Sequence, residues 1–331
     1  MKALVYTAPG EVTYQSADDP VPRDGEVIVR IEAVGICGSD MHAFRGHDSR
    51  RTPPLILGHE ATGVVQGGRL AGKRVVINPL VTCGACRACL AGRTNVCARR
   101  EIISIAPRQG AFAEMISMPE RNLIEVPDNL ETAQAALAEP LATGWHAVAL
   151  AVRQAWRPLD RCRVLVIGGG AIGMSATLAL RARGAVDVLL AETNPLRCET
   201  ASRAQIARVF NPISDGPLEE SSVDLVVDCV GGAKTRKLAS QAVCPGGAII
   251  HVGLQDSAEG LDIRKVTLQE VTLVGSYTYT NGDFEETVAA MSRGDLGPLD
   301  WFDERPLTDG AAAFADLIGG HTGAAKIILR P

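Results

Sequence analysis

The chain has 331 residues, of which 46% are hydrophobic and 21% are charged, and its formal net charge is −5 at pH 7. This composition supports a large buried core and excludes a mainly disordered chain. The acidic balance argues against nucleic acid or an anionic membrane surface as a partner, because binding either would need a basic face. At about 150 residues per domain, the length predicts two domains.

The start of the chain predicts no secretory leader. Residues 1–6 contain no extended apolar segment of the kind found in a secretory leader. The longest mostly apolar run without charges, residues 164–180, is shorter than the ~20 residues of a membrane span. We therefore expect a cytoplasmic protein with reduced thiols. In that compartment, nine cysteines, five of them between Cys37 and Cys97, indicate metal binding more than disulfides.

The first third of the chain has the pattern of β-strands. Polar and apolar residues alternate over residues 26–34, as on a strand that is buried on one face. Short apolar runs bounded by glycine or proline predict further strands at residues 63–65, 74–77, 114–117 and 123–126. This part of the chain is therefore predicted to be β-rich.

From residue 131 onward, buried strands alternate with helices. Helices are predicted at residues 131–141 and 172–183, and strands at 164–167, 186–191, 223–228, 248–252 and 271–274. Continuous apolar strands separated by helices are typical of a parallel sheet that is covered on both faces. After residue 277 the pattern changes again, to two amphipathic helices at 283–293 and 311–318 and a closing strand at 326–329.

Three separate segments contain side chains that could bind one reactive metal ion. The candidate ligands are one thiol, one imidazole and two carboxylates, namely Cys37, His59, Glu60 and Glu139. Three protein ligands and one open position make the usual catalytic zinc site. Taken singly, each residue has a simpler explanation, because a lone cysteine is most often a small buried hydrophobic residue.

Four further cysteines are spaced as C-x2-C-x2-C-x7-C. They are Cys83, Cys86, Cys89 and Cys97. Four thiolates held by a loop rich in glycine and alanine suit a tetrahedral zinc ion with no position left for substrate, which is a structural site. Disulfides and an iron–sulfur cluster are the alternatives.

The predicted strand at residues 164–167 leads directly into a G-x-G-x-x-G motif. In this pattern Gly168 makes the tight turn, Gly170 lets a pyrophosphate approach the backbone, and Gly173 lets the helix pack on the strand. The helix that begins around Ile172 offers free N–H groups and a partial positive charge to phosphates. The motif therefore predicts a dinucleotide site.

The end of the next predicted strand bears on the choice of dinucleotide. Glu192 stands there, 24 positions after Gly168. An acidic side chain at this point accepts hydrogen bonds from the adenosine ribose and repels a 2′-phosphate, so it favours NAD over NADP. Arg197 is close enough in sequence to pair with a phosphate, and a solvated charge at a helix start is the alternative explanation for it.

Together and in this order, these segments resemble the zinc-dependent medium-chain dehydrogenase/reductase family of alcohol and polyol dehydrogenases, of the sorbitol-dehydrogenase type. The resemblance covers essentially the whole chain. It implies an α/β protein whose NAD-binding domain, residues 142–276, is a Rossmann fold with a doubly wound parallel sheet. It also implies a β-rich, GroES-like catalytic domain formed by residues 1–141 and 277–331.

The resemblance implies roles for the candidate metal ligands. Cys37 and His59 would bind the catalytic zinc. Glu139 stands where other members have a third cysteine and would bind the zinc directly or through water, and Glu60 is a further candidate ligand. Asp40 would orient the His59 ring without itself binding the zinc.

Other residues are assigned to catalysis and to the cofactor by the same resemblance. Ser39 would contact the substrate hydroxyl, and His42 would complete a proton relay. Thr143 is placed at the cofactor, and Lys326 in a basic position near the pyrophosphate and Glu60.

The resemblance predicts an oxidoreductase with two zinc ions per subunit that transfers a hydride between a secondary alcohol, polyol or sugar-derived, and NAD. A threonine-type amino-alcohol dehydrogenase is the alternative. A non-catalytic dinucleotide-binding relative is disfavoured, because it would be expected to lose Cys37, Ser39 or His59.

Two departures from the family pattern argue against sorbitol as the substrate. Ala43 and Thr278 stand where sorbitol-type enzymes have a tyrosine and an arginine that contact polyol hydroxyls. The family also pairs subunits through the last strands of their cofactor sheets, so residues 271–277 predict a homodimer or homotetramer.

Overall fold

The computed structural model describes residues 1–256 and 259–331. Its strands are β1 (Lys2–Ala8), β2 (Glu11–Ser16), β3 (Glu26–Gly35), β4 (Leu55–Ile56), β5 (Glu60–Val65), β6 (Arg74–Ile77), β7 (Leu80–Val81), β8 (Glu101–Ile102), β9 (Met115–Pro119), β10 (Leu123–Glu125), β11 (Arg163–Ile167), β12 (Asp187–Ala191), β13 (Arg208–Phe210), β14 (Val223–Asp228), β15 (Val243–His251), β16 (Thr272–Gly275), β17 (Phe302–Pro306) and β18 (Lys326–Arg330). Its helices are α1 (Gly38–Phe44), α2 (Arg87–Leu90), α3 (Thr132–Ala135), α4 (Ala138–Gln154), α5 (Ala171–Ala182), α6 (Pro195–Arg203), α7 (Ala233–Ala242), α8 (Ile263–Leu268), α9 (Asn281–Arg293) and α10 (Gly310–Gly319).

The first and last parts of the chain share one mixed sheet. Its strand order is β10-β6-β5-β3-β18-β17, with β9 also paired to β3. Strands β3 and β5 are antiparallel and place Gly35 opposite Glu60. The segment that follows β3 and carries Cys37 is therefore brought to the start of β5, beside His59.

The middle of the chain forms a second, parallel sheet with the order β13-β12-β11-β14-β15-β16. Val164 and Val166 of β11 lie in one buried cluster, whereas Leu165 and Ile167 lie in another on the opposite face. Both faces are covered, which is why this strand is continuously apolar. Strands β12 and β14 flank β11 on opposite sides, so the loop after β11 lies at a topological switch point, where ligands bind in such sheets.

The helix predicted at residues 131–141 differs from the observed structure. The chain forms the short α3 and then the 17-residue α4, so the boundary predicted at 141/142 falls inside a helix. Pro140 is accepted because it lies in the first turn, where its missing N–H has no intrahelical partner. Gly144 lets α4 approach the backbone of Ala176 in α5 closely, and this burial extends the helix. Within the described ranges, no helix has both the length and the apolar character needed to cross a membrane.

Strands β1, β2 and β17 are not predicted by the sequence pattern. β17 has the sequence Phe-Asp-Glu-Arg-Pro, which is too polar to show a period of two, and it exists because it pairs in parallel with the buried β18. Tertiary pairing here overrides local propensity.

Candidate active site and metal centres

Three of the predicted ligands converge near the junction of β3 and β5. One ligand atom from each of Cys37, His59 and Glu60 lies within 4.8 Å of the others. His59 and Glu60 are buried, and Cys37 is partly exposed. A set of one sulfur, one nitrogen and one oxygen ligand at this spacing suits a zinc ion with an open fourth position.

Asp40 organises the backbone around this cluster. Its carboxylate accepts hydrogen bonds from the N–H of Cys37 at 3.0 Å and of Gly58 at 3.3 Å, and lies 3.5 Å from His59 Nδ1. Gly58 has φ = +89°, and a Cβ there would collide with the ring of Phe112. The fixed Nδ1 contact leaves His59 Nε2 free to face the other ligands.

The electrostatics of the cluster favour a cation. Burial by itself would lower the pKa of His59, but the negative charges of Asp40 and Cys37 outweigh it and raise that pKa well above its ordinary value. The negative charges that cause this shift would also attract a metal ion. The residues present therefore fit a bound zinc.

Glu60 is paired with a lysine from the far end of the chain. Lys326 Nζ lies 2.7 Å from Glu60 Oε1 and 2.6 Å from Oε2, and donates to the Ile36 carbonyl at 2.9 Å. A Cβ on Gly35 would collide with Glu60 Oε2, so glycine makes the room for this carboxylate. The resemblance places Lys326 near both the pyrophosphate and Glu60, and the hydrogen bonds that the structure gives it are those to Glu60 and the Ile36 carbonyl.

Glu139 lies beside the three-ligand set and is bonded to a tyrosine. Tyr279 Oη donates to Glu139 Oε1 at 2.7 Å, and both side chains are buried. Burial raises the pKa of Glu139 to about 7, and the neighbouring Glu60 adds to the shift. Burial, with Glu139 adding to it, also raises the pKa of Tyr279 well above its ordinary value, so this hydroxyl keeps its proton and donates.

Ser39 and His42 lie on α1, three residues apart and therefore on neighbouring positions of one helix face. Ser39 Oγ is 3.5 Å from His59 Nε2, on the side of the imidazole that faces the ligand cluster. Burial, followed by the charges of Arg45 and His47, lowers the pKa of His42. A neutral His42 can accept a proton.

The four remaining motif cysteines form a compact group. The closest Sγ–Sγ separations are 3.5 Å (Cys83–Cys97), 3.6 Å (Cys86–Cys89), 3.8 Å (Cys86–Cys97) and 3.9 Å (Cys83–Cys89). A tetrahedron with zinc–sulfur bonds of about 2.3 Å has edges of about 3.8 Å. All nine cysteines are free, so the group has the geometry of a four-thiolate zinc site and contains no disulfide.

The segment carrying these cysteines, residues 82–100, contacts the chain that leads to Tyr279. Asn95 Nδ2 donates to the Tyr277 carbonyl at 2.8 Å, and Thr94 Oγ1 accepts from the Asn281 N–H at 2.9 Å. The guanidinium of Arg100 lies 4.9 Å from the centre of the Tyr277 ring. The structural site therefore supports the segment that presents Tyr279 to Glu139.

The glycine loop follows β11 as predicted. Gly168 has φ = +100°, and a Cβ at Gly173 would collide with the Gly168 carbonyl oxygen. A Cβ at Gly170 would meet only Arg197 Nη1, at 3.8 Å, so the space in front of the start of α5 is open. That open space at a helix N-terminus can accept a pyrophosphate, with Arg197 at its edge.

Thr143, which the resemblance places at the cofactor, lies in α4 and is buried. Its hydroxyl donates a hydrogen bond to the Glu139 carbonyl at 3.4 Å.

Glu192 is buried against the glycine loop. Its Oε2 accepts from Gly169 N–H at 2.7 Å, and its Oε1 accepts from Thr193 and Asn194 N–H at 2.7 and 2.8 Å. Arg197 Nη1 is 3.7 Å from Glu192 Oε2. Since a carboxylate has about four acceptor positions, Glu192 retains capacity for one more donor, such as a ribose hydroxyl.

Comparison with known proteins identifies the family. Residues 23–128 match the model of the alcohol dehydrogenase GroES-like domain, and residues 171–293 match that of the zinc-binding dehydrogenase. L-galactonate-5-dehydrogenase of Escherichia coli (strain K12) is 32% identical over 314 residues, covering 89% of this chain and 88% of that protein. The chain belongs to the zinc-dependent medium-chain alcohol dehydrogenase family. This confirms the predicted α/β fold, with a Rossmann cofactor unit and a GroES-like unit.

Two further comparisons support membership of this dehydrogenase family. Sorbitol dehydrogenase of Bacillus subtilis (strain 168) is 31% identical over 298 residues, covering 85% of this chain and 83% of that protein. A crystal structure of an alcohol dehydrogenase from Escherichia coli CFT073, complexed with NADH, superimposes with a TM-score of 0.90 and 25% identity, covering 100% of this chain and 99% of that one. The protein is therefore an NAD(P)-dependent zinc oxidoreductase, as predicted.

Sequence reasoning misses three side chains at the active site of this dehydrogenase. Tyr279 stands out in the sequence only as part of a family stretch, and Arg51 and Ser104 belong to no motif. Ser104 has φ = +65°, is fully buried, and lies with its Oγ 3.4 Å from His59 Nδ1. Of Arg51 and Ser104, only Arg51 has a signal in the sequence. It is one of two adjacent arginines, Arg50 and Arg51, that lie between the two segments carrying Cys37 and His59.

Proposed function

We propose that this dehydrogenase interconverts a secondary alcohol and the corresponding ketone, with NAD as the hydride acceptor, on a polyol or sugar-derived substrate. Cys37, His59 and Glu60 hold the catalytic zinc, and Glu139 acts directly on the zinc or through a water molecule. The observation that carries the proposal is the convergence of these three ligands within 4.8 Å, with Ser39 at their edge. Sugar-acid and polyol dehydrogenases among the relatives support the substrate class.

The bound groups supply Lewis acidity toward the substrate oxygen and, from NAD, a nicotinamide carbon that takes the hydride. The protein handles the proton. As the carbinol carbon loses hydride, the hydroxyl proton passes to Ser39 Oγ, which gives its own proton toward His42. The lowered pKa of His42 keeps it neutral and able to accept near neutral pH. Buried Asp40 holds His59 in place throughout and takes no proton.

We propose NAD as the physiological cofactor and a second, structural zinc on Cys83, Cys86, Cys89 and Cys97. The buried carboxylate of Glu192 beside the glycine loop supports NAD, because a 2′-phosphate would be repelled there. Thr143, Arg197 and the loop from Gly168 to Gly173 complete the cofactor site. We place Lys326 in the support of Glu60.

We also propose the division into a catalytic domain of residues 1–141 and 277–331 and a cofactor domain of residues 142–276, with α4 crossing between them. The edge position of β16 supports a homodimer or homotetramer. Free, metal-spaced thiols support a reducing, cytoplasmic location.

One experiment tests the metal mechanism. The zinc-loaded protein is screened for NAD and NADP reduction against polyols, aldonates, amino alcohols and simple alcohols, alongside Cys37→Ser and the control Cys244→Ser. Cys37→Ser is expected to abolish turnover while NADH still binds, because the cofactor loop is untouched. Full activity of Cys37→Ser would refute the mechanism, and a preference for amino alcohols would assign the threonine-type alternative.

A further inference from the structure

Arg51, in the loop after α1, places its guanidinium beside the Ser39 hydroxyl at the active site. We propose that Arg51 selects a carboxylate-bearing substrate, such as an aldonate, over the uncharged polyol of the same carbon skeleton. This inference rests on the proposed function, because it specifies the substrate of the same site.

Arg51 is directed into the molecule and not toward solvent. Its side chain is 4% exposed. Nε donates to the Ser104 carbonyl at 2.9 Å, and Nη2 lies 3.3 Å from Ser104 Oγ and 3.5 Å from Ser39 Oγ. The guanidinium therefore touches the hydroxyl that we place on the substrate oxygen. It also lies beside Ser104, whose hydroxyl faces His59.

The local charges do not neutralise Arg51 fully. Its partner is Asp48, at 2.7 Å from Nη1. The same carboxylate accepts two hydrogen bonds from Arg50, at 2.9 Å each. Two guanidiniums therefore share one carboxylate. Burying a cation whose charge is only partly balanced costs free energy unless a further anion pairs with it.

A second anion, Asp40, acts on Arg51 through its charge. Its oxygens are engaged by two backbone N–H groups and His59, so it does not take up the hydrogen-bond donors of Arg51. Arg45 adds positive charge on the exposed side of the loop. Within this loop Arg45, Arg50 and Arg51 outnumber the one carboxylate of Asp48, although the whole chain is acidic.

The donors of Arg51 suit a carboxylate. A guanidinium has five N–H donors, and the acceptors around Arg51 leave one Nη1 hydrogen free and occupy Nη2 only with long contacts of 3.3 and 3.5 Å. A carboxylate oxygen at Nη2 would make a shorter, charge-assisted bond. Because Nη2 reaches Ser39, the carboxylate would lie only a few carbon atoms from the reacting carbinol.

The test compares matched substrates. For the zinc-loaded enzyme, kcat/KM is measured with NAD on a set of aldonates, each paired with the alditol of the same configuration. We expect the wild type to prefer aldonates by at least about 10-fold. Arg51→Gln should lower kcat/KM for aldonates by roughly 10²-fold, mainly through KM, and for alditols by less than about 3-fold, as for the loss of one charge-assisted contact.

The controls separate a binding role from a structural one. Arg69→Gln removes an exposed positive charge between β5 and β6, outside the candidate site, and should leave the aldonate-to-alditol ratio unchanged. Arg51→Lys keeps the charge without the planar fork and should lose roughly 10-fold on aldonates. Equal losses on both substrate types in Arg51→Gln, or a wild-type preference for alditols, would overturn the assignment.

A binding measurement keeps the proposal testable if Arg51→Gln does not fold. The dissociation constants of 3-hydroxybutyrate and 3-hydroxybutyramide, which carry the same hydroxyl for the proposed zinc, are compared on the wild-type enzyme–NADH complex. Tighter binding of the carboxylate supports the proposal, and equal or weaker binding contradicts it. If the enzyme oxidises only neutral alcohols, the role proposed for Arg51 is wrong but the proposed function stands. If it reduces NAD with none of the alcohols in the presence of zinc, the proposed function itself is contradicted.

Discussion

The side chains at the active site show which residues a sequence can identify. Cys37, His59 and Glu60 are predictable because their chemistry is rare and their segments have fixed patterns. Arg51 and Tyr279 are not, because the contacts that place them join segments far apart in the sequence: Arg51 reaches Ser104 over 53 positions, and Tyr279 reaches Glu139 over 140. Arginine and tyrosine are common residue types, so only the folded chain shows that these two are inside the site.

Ser39 offers the sharpest test at this scale. In Ser39→Ala, kcat should fall on the order of 10²-fold, because the substrate proton loses its route toward His42. NADH affinity should not change, since α1 and the glycine loop remain. Ser49→Ala, at an exposed serine of the following loop, is the matched control. Unchanged kcat in Ser39→Ala, measured in the steady state, would exclude the relay.

Among the secondary-structure elements, strand type and order are more predictable than helix ends. The alternation of apolar strands and helices predicts the parallel sheet, since burial on both faces leaves a clear pattern in β11, β14 and β15. The end of the helix predicted at 141 could not be read from the sequence. It depends on α5 packing beside Gly144, a tertiary contact.

The N-terminus of α9 is stabilised by a carboxylate with several partners. Asp283 Oδ2 accepts from Thr280 N–H at 2.9 Å, from Thr280 Oγ1 at 2.6 Å, and lies 2.8 Å from His146 Nδ1 of α4. Against the opposing effect of burial, these contacts lower the pKa of Asp283 to about 2. The pairing joins the helix that follows Tyr279 to the helix that carries Glu139.

Asp283→Asn should therefore lower stability in a pH-dependent way. The folded pKa lies below the ~3.9 of an unfolded aspartate, so the stabilisation is present above pH ~4 and is lost as pH falls toward 2. After allowing for partial solvent exposure, we expect about 1 kcal/mol at pH 7. Urea unfolding at pH 7 and at pH 3 measures the difference in unfolding free energy between wild type and Asp283→Asn. Glu285→Gln, at an exposed position of the same helix, is the control. A difference that does not shrink at pH 3 would contradict this explanation.

The cysteine-rich segment, residues 82–100, is an element that we propose to be held by a zinc ion. Cys97→Ser should open it to proteases, because the segment has only α2 and the 3-10 turn Thr94–Val96 as regular structure and is flanked by the two-residue strands β7 and β8. Since it supports Tyr277 and Asn281, activity should also fall. Limited proteolysis with mass spectrometry tests this, with Cys244→Ser as control. Native protease resistance of zinc-free Cys97→Ser would show that the segment does not depend on zinc.

At the scale of the whole molecule, β16 forms one of the two unpaired edges of the parallel sheet within the described chain. β16 pairs only with β15, and Leu273 on it is 44% exposed. Ile263 and Leu268 of the neighbouring α8 are exposed as well. An apolar edge of this kind is usually covered by another chain.

Leu273→Arg should therefore dissociate the proposed oligomer. A buried, unpaired charge repeated across a two-fold axis would face its own copy. Light scattering after size-exclusion chromatography measures the mass, with the exposed Val186→Arg, away from β16, as control. A wild type that is monomeric at micromolar concentration, or an unchanged oligomer in Leu273→Arg, would place the interface elsewhere or remove it.

The pairing of β18 with β3 has a consequence for how the protein is made. β3 leaves the ribosome early, but its neighbour β18, with Lys326 for Glu60, is translated almost three hundred residues later. The parallel sheet between them can fold on the nascent chain, because all its strands lie within residues 163–275. The proposed zinc ligands Cys37, His59 and Glu60 gain Lys326 and the neighbouring strand β18 only after residue 326 has been translated, so the proposed metal site is completed after the parallel sheet.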